Sequence, residues 1–112
     1  MQEAIDRGRR FCLIREEAGL NKQEFAKEMG ISPAYVTYLE SGMKKDDPVR
    51  PSEHLLHAVC HRFGVSFQWL KDGVGPMRPS VRQRLMGVLW TMSDAELLAV
   101  EKFVMQLRGQ ES

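Results

Sequence analysis

Apolar residues recur along the chain at the three- and four-residue spacing of amphipathic helices, and no stretch alternates as a half-buried strand does. The first stripe predicts a helix over residues 3–18, with Ile5, Phe11, Ile14 and Ala18 on one face and Gly19 after it. Four further helices are predicted before residue 72, opened by the N-cap residues Asn21, Ser32, Ser52 and Ser66. Gly30, Gly42 and Gly64 end the first three of these four helices.

The segment DGVGPMRP, residues 72–79, interrupts this pattern and marks the expected boundary between a domain at 1–78 and a segment at 79–112. Ser80 and Ser93 open two more helices, and Gly109 is expected to end the second one. Only a few residues separate these two helices, so they are expected to fold back as a hairpin or to continue through a sharp bend.

The two C-terminal helices carry more apolar surface than so short a segment can bury alone. A second copy of the chain is the commonest way to cover such a surface, which predicts a homodimer. Packing of the hairpin against the first domain is the alternative. The residues expected to dimerise are Val81, Leu85, Leu89, Leu97, Val100, Phe103, Val104 and Leu107.

Two short helices joined by a glycine-containing turn, NKQEFAKEM, then GI, then SPAYVTYLESG, describe a helix-turn-helix. Ala26 is small where the two helices must cross closely, and Gly30 permits a positive φ in the turn. Ile31 and Val36 are expected to fill the wedge between the helices. A helix–glycine–helix pattern alone is not specific, because pairs of antiparallel helices are common.

The longer segment GLNKQEFAKEMGISPAYVTYLESG resembles the Cro/phage-repressor, or lambda repressor-like, helix-turn-helix family. The resemblance extends from about residue 8 to residue 72 and includes HAVCHRFGVSFQWL. It implies a five-helix lambda repressor-like helix-turn-helix domain. Together with the two C-terminal helices predicted from apolar spacing, the expected fold is all-α, with this domain followed by a C-terminal two-helix dimerisation hairpin. The resemblance also implies that the protein binds operator DNA as a dimer.

The resemblance assigns roles to individual residues. Arg15 and Glu40 would form an ion pair between the first and third helices. Phosphate contacts are expected from the start of the second helix and from the loop MKKDDPVRP, which is longer than usual in the family; the residues are Asn21, Lys22, Lys44, Lys45 and Arg50. Arg9 or Arg10 is a further candidate. Lys22 departs from the family's usual Gln, and the acidic residues of the loop argue against its lying flat on DNA.

The outward face of the third helix would enter the major groove, and the expected base-facing residues are Ser32, Pro33, Ala34, Tyr35, Thr37 and Tyr38. This face has no Arg, Lys, Gln or Asn, so the sequence predicts modest discrimination per base and a reliance on DNA shape or dimer spacing. Packing against neighbouring helices is the alternative for the two tyrosines. Ala34 and the Thr37 methyl group are suited to thymine methyl groups.

The 112 residues include 16 basic and 15 acidic side chains, a net charge of +1, so any nucleic-acid binding must depend on local charge. The two cysteines form no C-x-x-C motif, which favours a reducing compartment. Neither a signal peptide nor an 18-residue apolar run is present, so a cytoplasmic protein without a membrane partner, associated with the nucleoid when bound to DNA, is expected.

No constellation of residues indicates catalysis. His54, His57 and His61 share one helix face, but positions seven apart lie about 10 Å apart along the axis, so a solvated face is expected rather than a metal site. Cys60 is expected in the core, and neither cysteine has a nearby base. The sequence therefore predicts no enzyme, no cofactor and no metal.

Together these features predict a sequence-specific, double-stranded-DNA-binding transcriptional regulator, a repressor of phage or mobile-element type that binds a palindromic operator as a homodimer. An antitoxin or a restriction–modification control protein of the same fold is the close alternative. From a different class, the apolar third-helix face permits a protein-docking adaptor or antirepressor. An antirepressor or toxin protein is a possible partner in either case.

Overall fold

The computed structural model describes residues 1–110. Seven helices and two very short strands make up this part of the chain. In order they are α1 Gln2–Glu17, α2 Lys22–Met29, α3 Pro33–Ser41, β1 Met43–Lys44, β2 Asp47–Pro48, α4 Glu53–Phe63, α5 Phe67–Asp72, α6 Val81–Trp90 and α7 Asp94–Gln110. The all-α class is confirmed, with the two-residue strands added inside the segment that was expected to be an irregular loop.

Side-chain caps begin the helices at the predicted positions. Asn21 accepts a hydrogen bond from the Glu24 N–H at 2.8 Å, and the Glu24 carboxylate accepts one from the Asn21 N–H at 3.0 Å. Ser32, Ser52 and Ser66 cap α3, α4 and α5 in the same way, each accepting from a backbone N–H three residues later. Each cap satisfies a helix donor that otherwise has no partner, so the helix starts are set locally.

Residues Met1–Arg78 form one compact unit with a continuous core. Phe11, Ile14, Phe25, Val36, Val59 and Leu70 are its largest fully buried side chains. The Phe25 ring stacks on the Phe63 ring with centroids 5.5 Å apart. Met77 also packs against this core, and its carbonyl accepts a 2.7 Å hydrogen bond from the Ser66 N–H. The interrupting segment before residue 79 therefore belongs to the first unit.

The buried face of α1 differs from the predicted stripe. Ala18 lies beyond the helix and is exposed, and Ile5 is only half-buried, whereas Ala4 and Gly8 are buried. A Cβ on Gly8 would lie 2.7 Å from the Leu39 carbonyl oxygen, so α3 crosses α1 backbone to backbone at this glycine. The prediction was wrong here because close approach selects small residues, which a count of apolar positions overlooks.

Two arginines of α1 close the C-terminal end of α5. The Arg10 Nε donates to the Leu70 carbonyl at 3.0 Å, and its Nη2 donates to the Lys71 carbonyl at 3.2 Å. The Arg7 Nε donates to the same Lys71 carbonyl at 3.1 Å. These guanidinium groups donate to carbonyls that a helix C-terminus leaves without partners. Their positive charge also interacts favourably with the negative end of the helix dipole.

The second unit begins at Pro79 and contains α6 and α7. Ser80 and Gln83 form a capping box at the start of α6, and Ser93 with Glu96 makes the equivalent contacts before α7. Helix α7 continues through Gly109 to Gln110, so the prediction that Gly109 ends it was wrong. No described residue of this unit is fully buried.

Candidate nucleic-acid interface

Helices α2 and α3 and the turn between them form a helix-turn-helix. Gly30 takes the left-handed conformation with φ of 68°, and the Ile31 N–H donates to the Ala26 carbonyl at 3.0 Å. Ala26 and Val36 are buried where the two helices meet. The turn therefore has the conformation for which a glycine was expected, because a side chain at positive φ is sterically disfavoured.

The orientation of α3 follows from its two buried residues. Val36 is 0% exposed and Leu39 is 2% exposed, so these positions face the core. Of the residues expected to face bases, Ser32, Pro33, Ala34 and Thr37 are exposed, whereas Tyr35 and Tyr38 are half-buried. Tyr35 packs against the core and is the least available of this set.

Lys22 and Thr37 lie together across the motif. The Lys22 Nζ is 3.4 Å from the Thr37 Oγ1, which in turn lies 3.4 Å from the Pro33 carbonyl oxygen. A residue expected to contact phosphate thus adjoins a residue expected to contact a base. Asn21 is exposed beside Lys22, but its side-chain oxygen is occupied by the helix cap.

The segment after α3 is a hairpin rather than an irregular loop. Strands β1 and β2 pair in antiparallel register, with Met43 opposite Pro48 and Lys44 opposite Asp47. Lys45 at the tip has φ of 58° and is the one non-glycine residue with positive φ in the described chain. The hairpin and the outward face of α3 enclose an open concavity of about 580 Å³, lined by Ser32, Ala34, Tyr35, Tyr38, Lys44, Asp47, Pro48, Val49 and Arg50.

The predicted contact between α1 and α3 is present. The Arg15 Nε donates to Glu40 Oε2 at 2.7 Å and the Nη2 donates to Oε1 at 3.0 Å, while Nη1 reaches the Leu20 carbonyl at 2.9 Å. Hydrogen bonding to Glu40 raises the pKa of Arg15, and burial opposes that rise. This bidentate contact fixes α3 against α1. Both side chains are largely buried.

Six cations of the first unit are engaged elsewhere in the fold. Arg7 and Arg10 bind the end of α5, so of the two further phosphate candidates Arg10 is engaged within the fold, whereas Arg9 is exposed. Arg15 pairs with Glu40, and the remaining ion pairs are Arg62–Glu28, Lys71–Glu53 and Arg78–Glu17. The roles of Arg7 and Arg10 have no signal in the sequence, because their partners lie about sixty positions away along the chain.

The remaining cations include all four that were expected to bind phosphate. Within residues 1–110, Lys22, Lys44, Lys45 and Arg50 have no carboxylate within ion-pair distance. All four are exposed, and three of them lie in or directly after the hairpin. Asp46 and Asp47 are also exposed there, so the hairpin presents both signs of charge. The near-neutral chain therefore has a local cluster of unpaired cations beside α3.

The two cysteines and His57 make contacts within the fold, and His54 and His61 are exposed. Burial, aided by a hydrogen bond to Glu16, raises the pKa of the Cys12 thiol to about 11, and burial also raises the pKa of Cys60. The His57 ring stacks on Phe67 with centroids 4.0 Å apart. In the described part of the chain, no group of three or more His, Cys, Asp or Glu residues could hold a metal ion.

The predicted dimer residues lie on α6 and α7 and fall into two groups. Leu89, Leu97 and Val100 are half-buried within the second unit, whereas Val81, Leu85, Phe103, Val104 and Leu107 are exposed. An apolar concavity of about 470 Å³, lined by Met86, Leu89, Trp90, Met92 and Leu97, opens between the two helices. Across residues 1–110, no helix is long and apolar enough to cross a membrane.

Comparison with known proteins agrees with this geometry. A helix-turn-helix family model matches residues 13–70, just over half of the chain. Among solved structures, a chain of the SinR protein/SinI protein complex matches with a TM-score of 0.51 at 21% sequence identity, over 91% of this chain and 97% of that one. At this identity the match concerns the fold alone. No curated protein matches the sequence.

Proposed function

The chain belongs to the helix-turn-helix family, and from this premise we propose that it is a sequence-specific repressor that binds a palindromic double-stranded operator as a homodimer. The family consists of DNA-binding transcription regulators and is not enzymatic. An origin in a phage or another mobile element is part of the proposal and has its support in the sequence resemblance. Action in the cytoplasm, on the nucleoid, follows from the proposed DNA partner.

The cation distribution carries the proposal. Six of the twelve cations of the first unit are engaged in structural contacts. Of the other six, all exposed, Lys22, Lys44, Lys45 and Arg50 lie around the exposed side of α3, and Arg9 and Lys27 are the remaining two. A protein gains much of its affinity for DNA by placing such cations on phosphates and releasing counterions. An arrangement in which these cations flank a recognition helix is what a major-groove reader requires.

Base recognition would depend on short side chains. Ala34 and the Thr37 methyl group can contact thymine methyl groups, and the hydroxyl groups of Thr37 and Tyr38 can bond base edges or phosphates. The exposed side of α3 carries no group that binds a base through two hydrogen bonds. Single-site discrimination is therefore expected to be modest, with the remaining specificity supplied by DNA shape and by the spacing of two half-sites.

The exposed apolar residues of α6 and α7 support the homodimer, because a second copy of the chain would cover them. A dimer with two-fold symmetry would in turn match a palindromic operator. The fold-level match is to a chain from a complex of two proteins. This supports a protein partner for the present chain, and we propose an antirepressor or toxin as that partner. An antitoxin or restriction–modification control protein would use the same DNA-binding unit.

A protein-docking adaptor is the second candidate function. The concavity beside α3 has apolar walls from Tyr35, Pro48 and Val49, which would suit a peptide as well as a duplex. The two candidates differ in their salt dependence. Binding to DNA through several phosphates weakens steeply as salt rises, whereas an adaptor binds no duplex at all.

Selection of a preferred duplex from random DNA, followed by anisotropy titrations over a series of salt concentrations, tests the proposal. Lys22→Ala and Arg50→Ala should each weaken binding to every duplex and flatten the salt slope by about one unit. Arg82→Ala is the matched control, because it removes the same charge from an exposed position on α6. An equal change of slope in the control would refute the phosphate assignment.

Base recognition needs a separate comparison. Thr37→Ala should lower affinity for the selected duplex by about 1 kcal/mol more than for random DNA, and Thr37→Ser separates the methyl group from the hydroxyl. Equal losses on both duplexes would mean that Thr37 does not read sequence. Failure to bind any duplex, together with capture of a peptide by the α3 concavity, would favour the adaptor.

A further inference from the structure

The β1–β2 hairpin is built onto the end of α3. The Val49 N–H donates to the Gly42 carbonyl at 2.8 Å, and the Met43 N–H donates to the Ser41 hydroxyl at 3.2 Å. Gly42 has φ of 79°, and a Cβ there would lie 2.6 Å from the Ala4 carbonyl carbon. The base of the hairpin is therefore held between α3 and the start of α1.

Lys44 extends from this hairpin over the recognition helix. Its Nζ lies 5.4 Å from the centre of the Tyr38 ring. Asp47 is directly opposite Lys44 in the strand register, yet no Lys44–Asp47 ion pair forms among the described residues. The cation thus lies over the aromatic face, where the ring quadrupole attracts it.

This contact joins two residues with different expected roles. Tyr38 belongs to the face of α3 that would read bases, and Lys44 belongs to the hairpin that would follow the phosphate backbone. An ammonium group over one side of a half-buried ring restricts the positions that the ring and its hydroxyl group can take. Such restriction lowers the ordering cost when DNA arrives, which is the usual benefit of preorganisation.

We propose that Lys44 is a positioning residue for Tyr38, so that the hairpin and α3 act as one reading surface and base discrimination by Tyr38 depends on Lys44. This inference rests on the proposed DNA-binding function. It separates Lys44 from Lys45 and Arg50. Those two contribute only charge, whereas Lys44 contributes charge and the placement of an aromatic ring.

Phosphate contact and ring positioning affect different measured quantities. A lysine that only contacts phosphate affects all duplexes alike and changes the salt slope. A positioning lysine also changes the ratio of affinities for the selected duplex and for random DNA. The second effect must vanish when the ring is absent, whereas the first must remain.

A double-mutant cycle on the full chain measures this coupling. Lys44→Met, which keeps an unbranched side chain but removes the charge, should lower the affinity ratio about twofold to tenfold, the ordering cost of one immobilised side chain. In a Tyr38→Leu background the same substitution should leave the ratio unchanged while still flattening the salt slope. Lys44→Arg should preserve the ratio, because a guanidinium group also binds an aromatic face.

Lys45→Asn is the matched control on the same hairpin. It removes the same charge from the neighbouring residue, and asparagine tolerates the positive φ found there. This variant should flatten the salt slope without changing the affinity ratio. Proton NMR of the free protein gives a second readout. The Lys44 ε-methylene protons should be shifted upfield by the Tyr38 ring current, and Tyr38→Leu should abolish that shift.

The inference is overturned if Lys44→Met lowers the ratio equally with and without the Tyr38 ring, or does not lower it at all. An absent ring-current shift would overturn its geometric basis. A wild-type protein that prefers no duplex would refute the proposed function, and this inference with it. A wild-type protein with a clear preference but an additive cycle would refute the inference alone.

Discussion

The two units of this chain are built from helices with similar local signals but differ in what those helices bury. The first unit, Met1–Arg78, has a core in which Phe11, Phe25 and Leu70 are at most 1% exposed. The second unit, from Pro79, has no fully buried residue among those described, and Trp90 is 86% exposed. Capping boxes begin α2 and α6 alike.

This difference separates helix formation from domain formation. Caps and residue spacing determine where a helix starts and which side is apolar, and both units have these features. Short helices are marginal in water, and most of their stability in proteins comes from packing of the apolar side. The second unit therefore has capping residues and apolar helix faces but no fully buried residue among those described.

The largest expected effect compares two phenylalanines. Phe11→Ala should lower the free energy of unfolding of the first unit by about 3–5 kcal/mol, because it removes a fully buried ring and leaves a cavity. Phe103→Ala, at a side chain that is 61% exposed, should leave it unchanged. Urea unfolding in a Trp90→Phe background makes Trp69 the only tryptophan reporter. Equal losses would mean that α7 belongs to the same cooperative core.

Removal of the second unit tests its proposed role. A fragment of residues 1–78 should remain helical and sediment as a monomer, and its operator affinity should fall about a hundredfold or more because the half-sites are bound separately. In the full chain, Phe103→Glu should act in the same direction by placing a charge in an apolar contact. Gln106→Glu, which adds the same charge on α7, is the control.

Sedimentation equilibrium of the fragment beside the full chain decides where the copies meet. Residues 80–108 are the expected contact, with Leu97, Phe103, Val104 and Leu107 at its centre. A fragment that dimerises as strongly as the full chain would place the interface in the first unit. The second unit would then serve another partner, and its exposed apolar residues would not report a homodimer.

Alanine in place of two helical glycines should change stability in opposite directions. Gly8→Ala should destabilise the first unit by about 1–3 kcal/mol, because the new methyl group would overlap the α3 backbone. Gly87→Ala in α6 has nothing within 4 Å of the new Cβ. It should stabilise the helix by about 0.5–1 kcal/mol through reduced backbone entropy in the unfolded chain. Thermal unfolding by circular dichroism measures both, and a destabilised Gly87→Ala variant would reveal packing on α6.

The smallest effect concerns the thiols. At pH 8, the Cys12 thiol with its pKa raised to about 11 should react with iodoacetamide about tenfold more slowly than an unfolded cysteine. Because the folded state favours the neutral thiol, stability should fall as pH rises from about 9, where the unfolded chain loses the proton first, towards 11. A Cys60→Ala variant isolates Cys12. Equal protection in the 1–78 fragment would show that this property belongs to the first unit alone.

Much of the first unit was predictable from residues close together in the chain. Asn21, Ser32, Ser52 and Ser66 cap the predicted helices, and Gly30 makes the turn of the motif. The orientation of α3 was also predictable, because Val36 and Leu39 had to face inward. The errors at Ala18 and Gly109 arose at helix ends, where apolar spacing and single glycines are weak guides.

The candidate site was less predictable than the fold. The cations were identified from the sequence. Which of them are engaged within the fold was not predicted, since Arg10 binds α5 carbonyls about sixty positions away. The hairpin after α3 was expected as an irregular loop, because strands of two residues leave no alternating pattern to detect. The contact between Lys44 and Tyr38 depends on that hairpin, and no separate pattern in the sequence predicts it.

The sequence by itself determined the helices and their caps, because each depends on interactions within about four residues. It also determined the helix-turn-helix, whose turn glycine and small crossing residue are close together in the chain. Only the tertiary structure decided which cations are engaged and which remain unpaired beside α3. That decision depends on contacts between distant residues, such as Arg15 with Glu40 and Arg7 with the end of α5. A charge acts on a partner according to distance in space, and folding alone sets that distance.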